Sequence, residues 1–154
     1  MDKKTVIKNY NLNKRQIDLI EKYIQKLKKS NQVHNLVGPS TINTAWDRHI
    51  NDSLQVSEFI SKRNMSIIDL GTGAGLPGVI LHIFGYKNIL LIDSKMKKIN
   101  FIKEFSREQN LEIKTICTRV EKIKNQQFDV IVCRAFAPLI KLLDYSRVFN
   151  KKNT

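Results

Sequence analysis

The residues best suited to chemistry are the glycines that follow a short apolar run in the middle of the chain. The stretch from Ser66 to Gly78 reads SIIDLGTGAGLPG, which is the pattern of a buried strand, a glycine turn and the start of a helix. Backbone N–H groups and a helix N-terminus at the end of a strand suit a nucleotide-type cofactor. We therefore predict a cofactor site here, with Gly71, Gly73 and Gly75 forming the turn.

Two cofactor classes fit this spacing. Residues 73–78 match G-x-G-x-x-G, and Asp93 lies near the position of a ribose-binding acid, as in a dinucleotide-dependent oxidoreductase. Counted from Asp69, however, the register is D-x-G-x-G-x-G. An acid so close to the loop suits the ammonium and sulfonium of S-adenosyl-L-methionine better than a pyrophosphate. Asp93 would then accept hydrogen bonds from both ribose hydroxyls. The spacing favours the methyl donor over the dinucleotide.

Strand and helix patterns alternate along the chain. Apolar runs predict strands at Ser66–Leu70, Asn88–Ile92, Glu112–Cys117 and Phe128–Cys133. Helices are predicted from a cap at Asn13 to Leu27, from about Thr41 to Ser61, from Val79 to Phe84, after a cap at Ser94, and from Ala135 to Leu143. This alternation predicts an α/β fold with a doubly wound, mostly parallel sheet whose ligands bind beyond the carboxyl ends of its strands.

Composition limits the class of protein. With 154 residues and 42% hydrophobic content, we expect a single domain (residues 1–154), with a helical N-terminal region (residues 1–63) and a cofactor-binding region (residues 64–154). No apolar run reaches the roughly 18 to 20 residues of a membrane span, so a cytoplasmic protein is expected. Cys117 and Cys133 are predicted to be buried free thiols, and no His or Cys spacing suggests a metal. The formal net charge of +13 favours a polyanionic partner such as nucleic acid.

Polar residues also cluster on the predicted second helix. His49, Asp52 and Ser53 stand at i, i+3 and i+4, which places them on one face. From the residues alone, this face is interpreted as a surface that joins the N-terminal helices to the rest. His82, in the apolar helix after the glycine loop, is predicted to be a packed histidine rather than a ligand.

Several longer motifs resemble one bacterial family. They are NLVG at Asn35, RHINDS at Arg48, DLGTGAGLPG at Asp69, LIDSKMKKINFIKE from Leu91, RVE at Arg119 and CRAFAPL from Cys133. From about residue 10 to residue 145 the chain resembles the RsmG (GidB) family, which methylates N7 of a guanine in 16S ribosomal RNA. The resemblance implies a class I, Rossmann-like, S-adenosyl-L-methionine-dependent methyltransferase with an N-terminal helical extension. It implies 16S rRNA or the small ribosomal subunit as partner.

The resemblance also implies roles for individual residues. Gly71 and Leu76 would give backbone contacts to the methionine end of the donor, while Gly73 and Gly75 keep the loop open. Asp93 would hold the ribose. The adenine would lie against Val120 and Glu121, and Arg134 would lie between donor and RNA. The substrate-side candidates are Arg134, His49, Asp52 and Ser53. The last three would help to close the site without a proton-transfer role.

The family pattern continues for several more strands than this chain contains. We therefore expect the last strands of the fold to be missing and Phe128–Cys133 to form an exposed edge strand. The protein is expected to be a monomer, with self-association through that edge as the alternative. A non-catalytic remnant that binds cofactor or RNA is the main alternative function, and a nucleotide-dependent oxidoreductase is the third.

Overall fold

Four parallel strands form one sheet in the order β3-β2-β1-β4. They are β1 (Ile67–Leu70), β2 (Ile89–Asp93), β3 (Lys114–Cys117) and β4 (Val130–Cys133). The structure is a computed structural model that describes residues 1–151, so the last three residues of the predicted cofactor-binding region lie outside it. The parallel pairing of β1 with both β2 and β4 confirms the predicted α/β class. It also gathers the carboxyl ends of the strands at one edge.

Helices cover both faces of the sheet. The elements α4 (Gly78–Phe84) and α5 (Met96–Glu108) make the crossovers from β1 to β2 and from β2 to β3. They share one apolar core with α2 (Lys14–Asn31) and the first face of the sheet. A second core lies on the other face, where Phe149 of α6 (Leu139–Phe149) packs with side chains from β1 and β2. The sheet is therefore doubly wound, as predicted.

The N-terminal helices begin with side-chain caps. Before α2, the backbone N–H of Gln16 donates to Asn13 Oδ1 at 2.9 Å, and the Gln16 side chain accepts from the Asn13 N–H at 3.0 Å. This reciprocal pair confirms the predicted cap. A further helix, α1 (Lys3–Asn9), was not predicted because it is short and buries only Val6.

The predicted helix from Thr41 to Ser61 is a succession of different helical turns. A 3₁₀ helix (Pro39–Thr44) is followed by a π-helical segment (Trp46–Asn51), α3 (Asp52–Gln55) and a second 3₁₀ turn (Val56–Phe59). The π segment has more residues per turn than an α-helix, so it rotates the side chains that follow it. His49 and Ser53 are buried whereas Asp52 is exposed. The face that the three residues were expected to share stays a prediction.

Other helices begin at residues different from those predicted, for local reasons. Ser94 does not cap α5; Lys95 stands at the cap position, and its N–H donates to Asp93 Oδ1 at 2.9 Å. The last helix begins at Leu139 rather than Ala135, since Ala135 has a φ of 48° and Pro138 disfavours helical geometry in the residue before it. Cys133 and Cys117 are free thiols, but they are half-buried rather than buried.

The predicted edge strand is covered at its beginning. Phe128 forms a parallel bridge with Asn150, in which the Phe128 N–H donates to Phe149 O at 2.7 Å and the Lys151 N–H donates to Phe128 O at 3.3 Å. Lys151 also forms an ion pair with Asp129, at 2.9 Å between Nζ and Oδ1. The strand itself is shorter than predicted and begins at Val130.

Membrane-spanning helices and metal-binding clusters are both absent from the part of the chain that the structure describes. No helix within residues 1–151 is long and apolar enough to cross a bilayer. Over the same residues, no group of three or more His, Cys, Asp or Glu side chains is arranged to hold a metal ion.

Candidate cofactor-binding site

A cavity of about 370 Å³ opens at the carboxyl ends of the strands. The glycine loop after β1, the end of β2, the turn after β3 and the turn after β4 each contribute to its wall. The lining residues are Gly71, Ile92, Asp93, Ser94, Lys98, Thr118, Arg119, Val120, Glu121, Ala135 and Phe136. The predicted position of the site, beyond the strand ends, matches the position of this cavity.

Gly71 permits an aromatic ring to pack directly on the loop. Its φ is 66°, and a Cβ atom built at this position would lie 2.0 Å from Cδ2 of Phe136. Any side chain at residue 71 would therefore displace the Phe136 ring and strain the backbone. The prediction placed Gly71 where a ligand approaches the backbone, and the structure shows that a protein side chain also occupies that approach.

Asp69 forms hydrogen bonds with the glycine loop and does not line the cavity. Its carboxyl group is fully buried, and Oδ2 accepts hydrogen bonds from Thr72 Oγ1 at 2.7 Å and from the Gly78 N–H at 2.9 Å. This close approach requires glycine, since a Cβ at residue 78 would lie 2.6 Å from the same oxygen. Asp69 therefore contacts the glycine loop and does not line the cavity in which a cationic ligand would bind.

Asp93 lines the cavity at the end of β2. Its Oδ2 accepts a hydrogen bond from the Gly73 N–H at 2.9 Å, and its Oδ1 accepts one from the Lys95 N–H at 2.9 Å. Each carboxylate oxygen has two acceptor positions, so both can accept a second hydrogen bond from a ligand. This carboxylate is the best placed group in the cavity for a pair of ribose hydroxyls.

The other predicted cofactor residues fall into two groups. Val120 and Glu121 line the cavity in a 3₁₀ turn (Val120–Lys122), and Glu121 Oε1 accepts a hydrogen bond from the Tyr145 hydroxyl at 2.7 Å. Gly73, Gly75 and Leu76 build the loop behind the lining residues, and the N–H groups of the last two donate to Thr72 O. The roles assigned to these residues stay predictions.

Arg134 points away from the cavity and toward the N-terminal region. Its guanidinium donates to Arg48 O at 3.1 Å and to His49 Nδ1 at 3.2 Å. A guanidinium only donates, so Nδ1 must be the acceptor. The other nitrogen, Nε2, then carries the proton and donates to Thr41 Oγ1 at 2.9 Å, and that hydroxyl donates to Gly38 O at 2.8 Å. Four groups are thus joined in one directed chain of hydrogen bonds.

The electrostatics of His49 agree with this tautomer. Burial and the neighbouring Arg134 charge lower the pKa of His49 to about 4, which keeps the ring neutral near pH 7. Ser53 supports the same segment, since its hydroxyl donates to His49 O at 2.6 Å. The structure therefore brings His49, Ser53 and Arg134 together, and Asp52 is exposed but near enough for its charge to act on His49.

Two lining side chains were missed by sequence reasoning. Lys98 supplies positive charge, and Phe136 supplies an aromatic wall. The position of Lys98 could have been predicted from the topology, because the first turn of a helix that follows a strand end faces the ligand edge of the sheet. Phe136 could not be located, since its direction depends on the positive φ of Ala135.

We predict that Asp69 makes stability depend on pH. Burial raises its pKa to about 7, whereas an unfolded chain has a value near 3.9. The folded state holds this proton more tightly, so stability present at low pH is lost as pH rises toward about 7. The Asp69→Asn variant should therefore gain stability relative to the parent protein between pH 4 and pH 8, by at most about 4 kcal/mol.

Urea unfolding of both proteins across this pH range measures the difference. His49 and His82, whose pKa values burial lowers to about 4, make stability rise with pH over part of this range. Their contribution is common to both proteins and cancels in the comparison. A difference that stayed constant with pH would contradict the prediction.

We also predict that Arg134 and His49 are energetically coupled. Arg134→Lys removes the planar fork that reaches both Arg48 O and His49 Nδ1, so a buried acceptor loses its donor at a cost of about 1–3 kcal/mol. A double-mutant cycle with His49→Gln, followed by urea unfolding, should give a coupling of at least about 0.5 kcal/mol. Arg147→Lys, at a residue with an 82% exposed side chain, is the matched control. Additive effects of the two substitutions would contradict the prediction.

Comparison with solved structures shows the same fold. A ribosomal protein L11 methylase from Lactobacillus delbrueckii subsp. bulgaricus superposes with a TM-score of 0.54 and 20% identity, over 67% of this chain and 55% of that one. A coclaurine N-methyltransferase bound to N-methylheliamine and SAH gives a TM-score of 0.51 and 23% identity, over 64% of this chain and 32% of that one. The chain therefore spans about half and about a third of the lengths of these two structures.

Comparison with known sequences is more specific. A ribosomal RNA small subunit methyltransferase G from Orientia tsutsugamushi (strain Ikeda) is 34% identical over 145 residues, which are 94% of this chain and 73% of that protein. Its counterpart from Rickettsia prowazekii (strain Madrid E) is 37% identical over 131 residues, 85% of this chain and 68% of that protein. The family model GidB, rRNA small subunit methyltransferase G, matches residues 16–154. The chain belongs to the GidB family of rRNA small subunit methyltransferase G proteins.

Proposed function

We propose that this protein transfers a methyl group from S-adenosyl-L-methionine to N7 of a guanine in 16S ribosomal RNA, as a monomer in the cytoplasm. The observation that carries the proposal is the Asp93 carboxylate. It lines the cavity at the end of β2 and has an acceptor position left on each oxygen. Membership of a methyltransferase family gives this carboxylate its expected ligand.

The cavity suits the donor in size and charge. Its volume of about 370 Å³ lies within the roughly 300–1,000 Å³ of small-molecule sites. Asp93 would hold the ribose, and the turn at Val120 and Glu121 would lie against the adenine. Lys98 and Arg119 are the lining cations that would attract the donor carboxylate. When bound, the donor supplies an electrophilic methyl group on its sulfonium.

The protein's own contribution is alignment rather than proton transfer. N7 of guanine carries an exposed lone pair on a neutral base, so no proton has to leave before it attacks the methyl group. His49 agrees with this chemistry, because both of its ring nitrogens are already engaged, with Arg134 and with Thr41. Orienting two reactants can lower a barrier by up to about 7–11 kcal/mol.

The basic surface beside the cavity would bind the RNA. Lys95 and Lys97, in and beside the first turn of α5, are exposed next to the lining residues Ser94 and Lys98. Phosphate contacts from lysines release counterions, so RNA binding by this face should weaken steeply with added salt. Arg134 has three N–H groups beyond its two internal hydrogen bonds. These groups could contact an RNA phosphate on the side of the N-terminal region.

Calorimetry and a methylation assay test the proposal. S-adenosyl-L-methionine is titrated into the purified protein, with NAD as the control ligand. Radiolabelled donor and small ribosomal subunits that lack the modification are then added. Donor binding with methyl transfer to N7 supports the proposal. Donor binding without transfer would replace it by the non-catalytic alternative, and binding of NAD alone would favour an oxidoreductase.

We predict that Asp93→Asn weakens donor binding by about ten- to a hundredfold. The amide cannot accept through its nitrogen, so at least one charge-assisted hydrogen bond worth about 1.5–3 kcal/mol is lost. Calorimetric titration of parent and variant measures the change. Asp18→Asn, at an exposed residue on α2 that forms an ion pair with Lys22, is the control and should bind the donor normally. Equal affinities of parent and Asp93→Asn would refute the role of Asp93.

A further inference from the structure

A second cavity, of about 580 Å³, lies at the opposite edge of the sheet from the candidate cofactor site. It opens between the start of α2, the end of α4, the turn before β2 and the start of β3. The polar residues that line it are Arg15, His82, Lys87, Asn110, Glu112 and Lys114. The strand β2 (Ile89–Asp93) runs from the side of this cavity to the candidate cofactor site, and a strand of this length spans about 13 Å.

Three cations face this cavity without a carboxylate partner. Arg15 is the second residue of α2, Lys87 lies in the turn between α4 and β2, and Lys114 is the first residue of β3. Among residues 1–151, no ion pair within 4.0 Å involves any of them. Glu112 is the one acidic residue in the lining, so the cavity carries a formal excess of two positive charges.

The positive charges around this cavity repel one another. Burial and the charge of Arg15 lower the pKa of Lys87, and burial and the charge of Lys87 lower the pKa of His82 to about 4. Lys87 has one internal hydrogen bond, in which Nζ donates to His82 O at 2.9 Å, so two of its N–H groups are left for a ligand. An anion in the cavity would relieve this repulsion.

The His82 side chain is a second, independent sign of an unfilled site. It lines the cavity and is only 2% exposed, yet its Nδ1 is buried without a hydrogen-bond partner. Buried polar atoms in folded proteins normally have a partner. Within the described residues the His82 ring makes no side-chain hydrogen bond. A ligand could therefore bind the ring without breaking a hydrogen bond within the protein.

We propose that this cavity binds a phosphate group. The excess of two positive charges matches a phosphate dianion or two neighbouring phosphodiesters. The planar fork of Arg15 suits two phosphate oxygens, and Lys87 and Lys114 add point charges from two further elements. The phosphate could belong to an RNA backbone or to a free anion, and the experiment distinguishes these sources. The inference does not rest on methyl transfer, because the two sites share no residue.

His82 serves as the reporter of binding. Inorganic phosphate is titrated into the full-length protein, and the pKa of each histidine is followed by NMR. Phosphate should raise the pKa of His82 by neutralising its neighbours, while His34 and His49 serve as internal controls. Lys114→Gln should abolish the shift, and Lys22→Gln, at an exposed lysine of α2 outside this cavity, should preserve it.

An RNA-binding measurement identifies the source of the phosphate. Fluorescence anisotropy of a labelled stem-loop copied from small-subunit rRNA is measured at several salt concentrations. If the cavity binds the RNA backbone, Lys114→Gln and Lys87→Gln should each weaken binding by about tenfold. Each should also reduce the salt slope by about 0.7 per lost phosphate contact. If only the inorganic phosphate effect is seen, the site takes a free anion.

The proposal is overturned if neither phosphate nor RNA changes the His82 pKa and both lysine variants bind RNA like Lys22→Gln. Circular dichroism of each variant verifies that it is folded, and Lys114→Gln, at an exposed residue, keeps the test valid if Lys87→Gln is unstable. Calorimetry with S-adenosyl-L-methionine is run on the same samples. Loss of donor binding with an intact His82 shift would refute the proposed function and leave the phosphate site standing.

Discussion

One buried carboxyl group, that of Asp69, determines the shape of the loop on which the site is built. By accepting from Thr72 Oγ1 and from the Gly78 N–H, Oδ2 holds both ends of the glycine turn against the end of β1. Its second oxygen is buried without a partner, which raises the free energy of the folded state. The loop geometry, the start of α4 and the position of Gly73 against Asp93 all depend on this contact.

The N-terminal helices are connected to the site at two points. The Tyr23 hydroxyl of α2 donates to Ala74 O in the glycine loop at 2.8 Å. On the other side, Arg134 joins the end of β4 to the π-helical segment through His49. Because each contact links residues far apart in sequence, the helical extension is held against the sheet at the glycine loop and at the end of β4. The N-terminal region therefore stabilises two of the elements that surround the candidate site.

Sequence reasoning succeeded where a short pattern determines the geometry. The cap at Asn13 and Gln16 is local, and Asp93 could be placed because parallel strands gather their carboxyl ends at one edge. It failed where the outcome depends on distant packing. The contact of Arg134 with His49 spans 85 residues. His49 lies in a π-helical segment that no residue pattern predicts.

The two walls of the candidate cofactor cavity are held by different kinds of force. The glycine-loop wall is fixed by directional hydrogen bonds that it donates to Asp69 and Asp93 and accepts from Tyr23, so it cannot move without breaking several of them. The facing wall depends on the Phe136 ring, which packs on Gly71 and lies 5.9 Å from the Tyr145 ring, centroid to centroid. Apolar packing of this kind is non-directional, so the ring can shift and still keep its contacts. A molecule that enters the cavity will therefore find a rigid template on one side and an adaptable aromatic surface on the other.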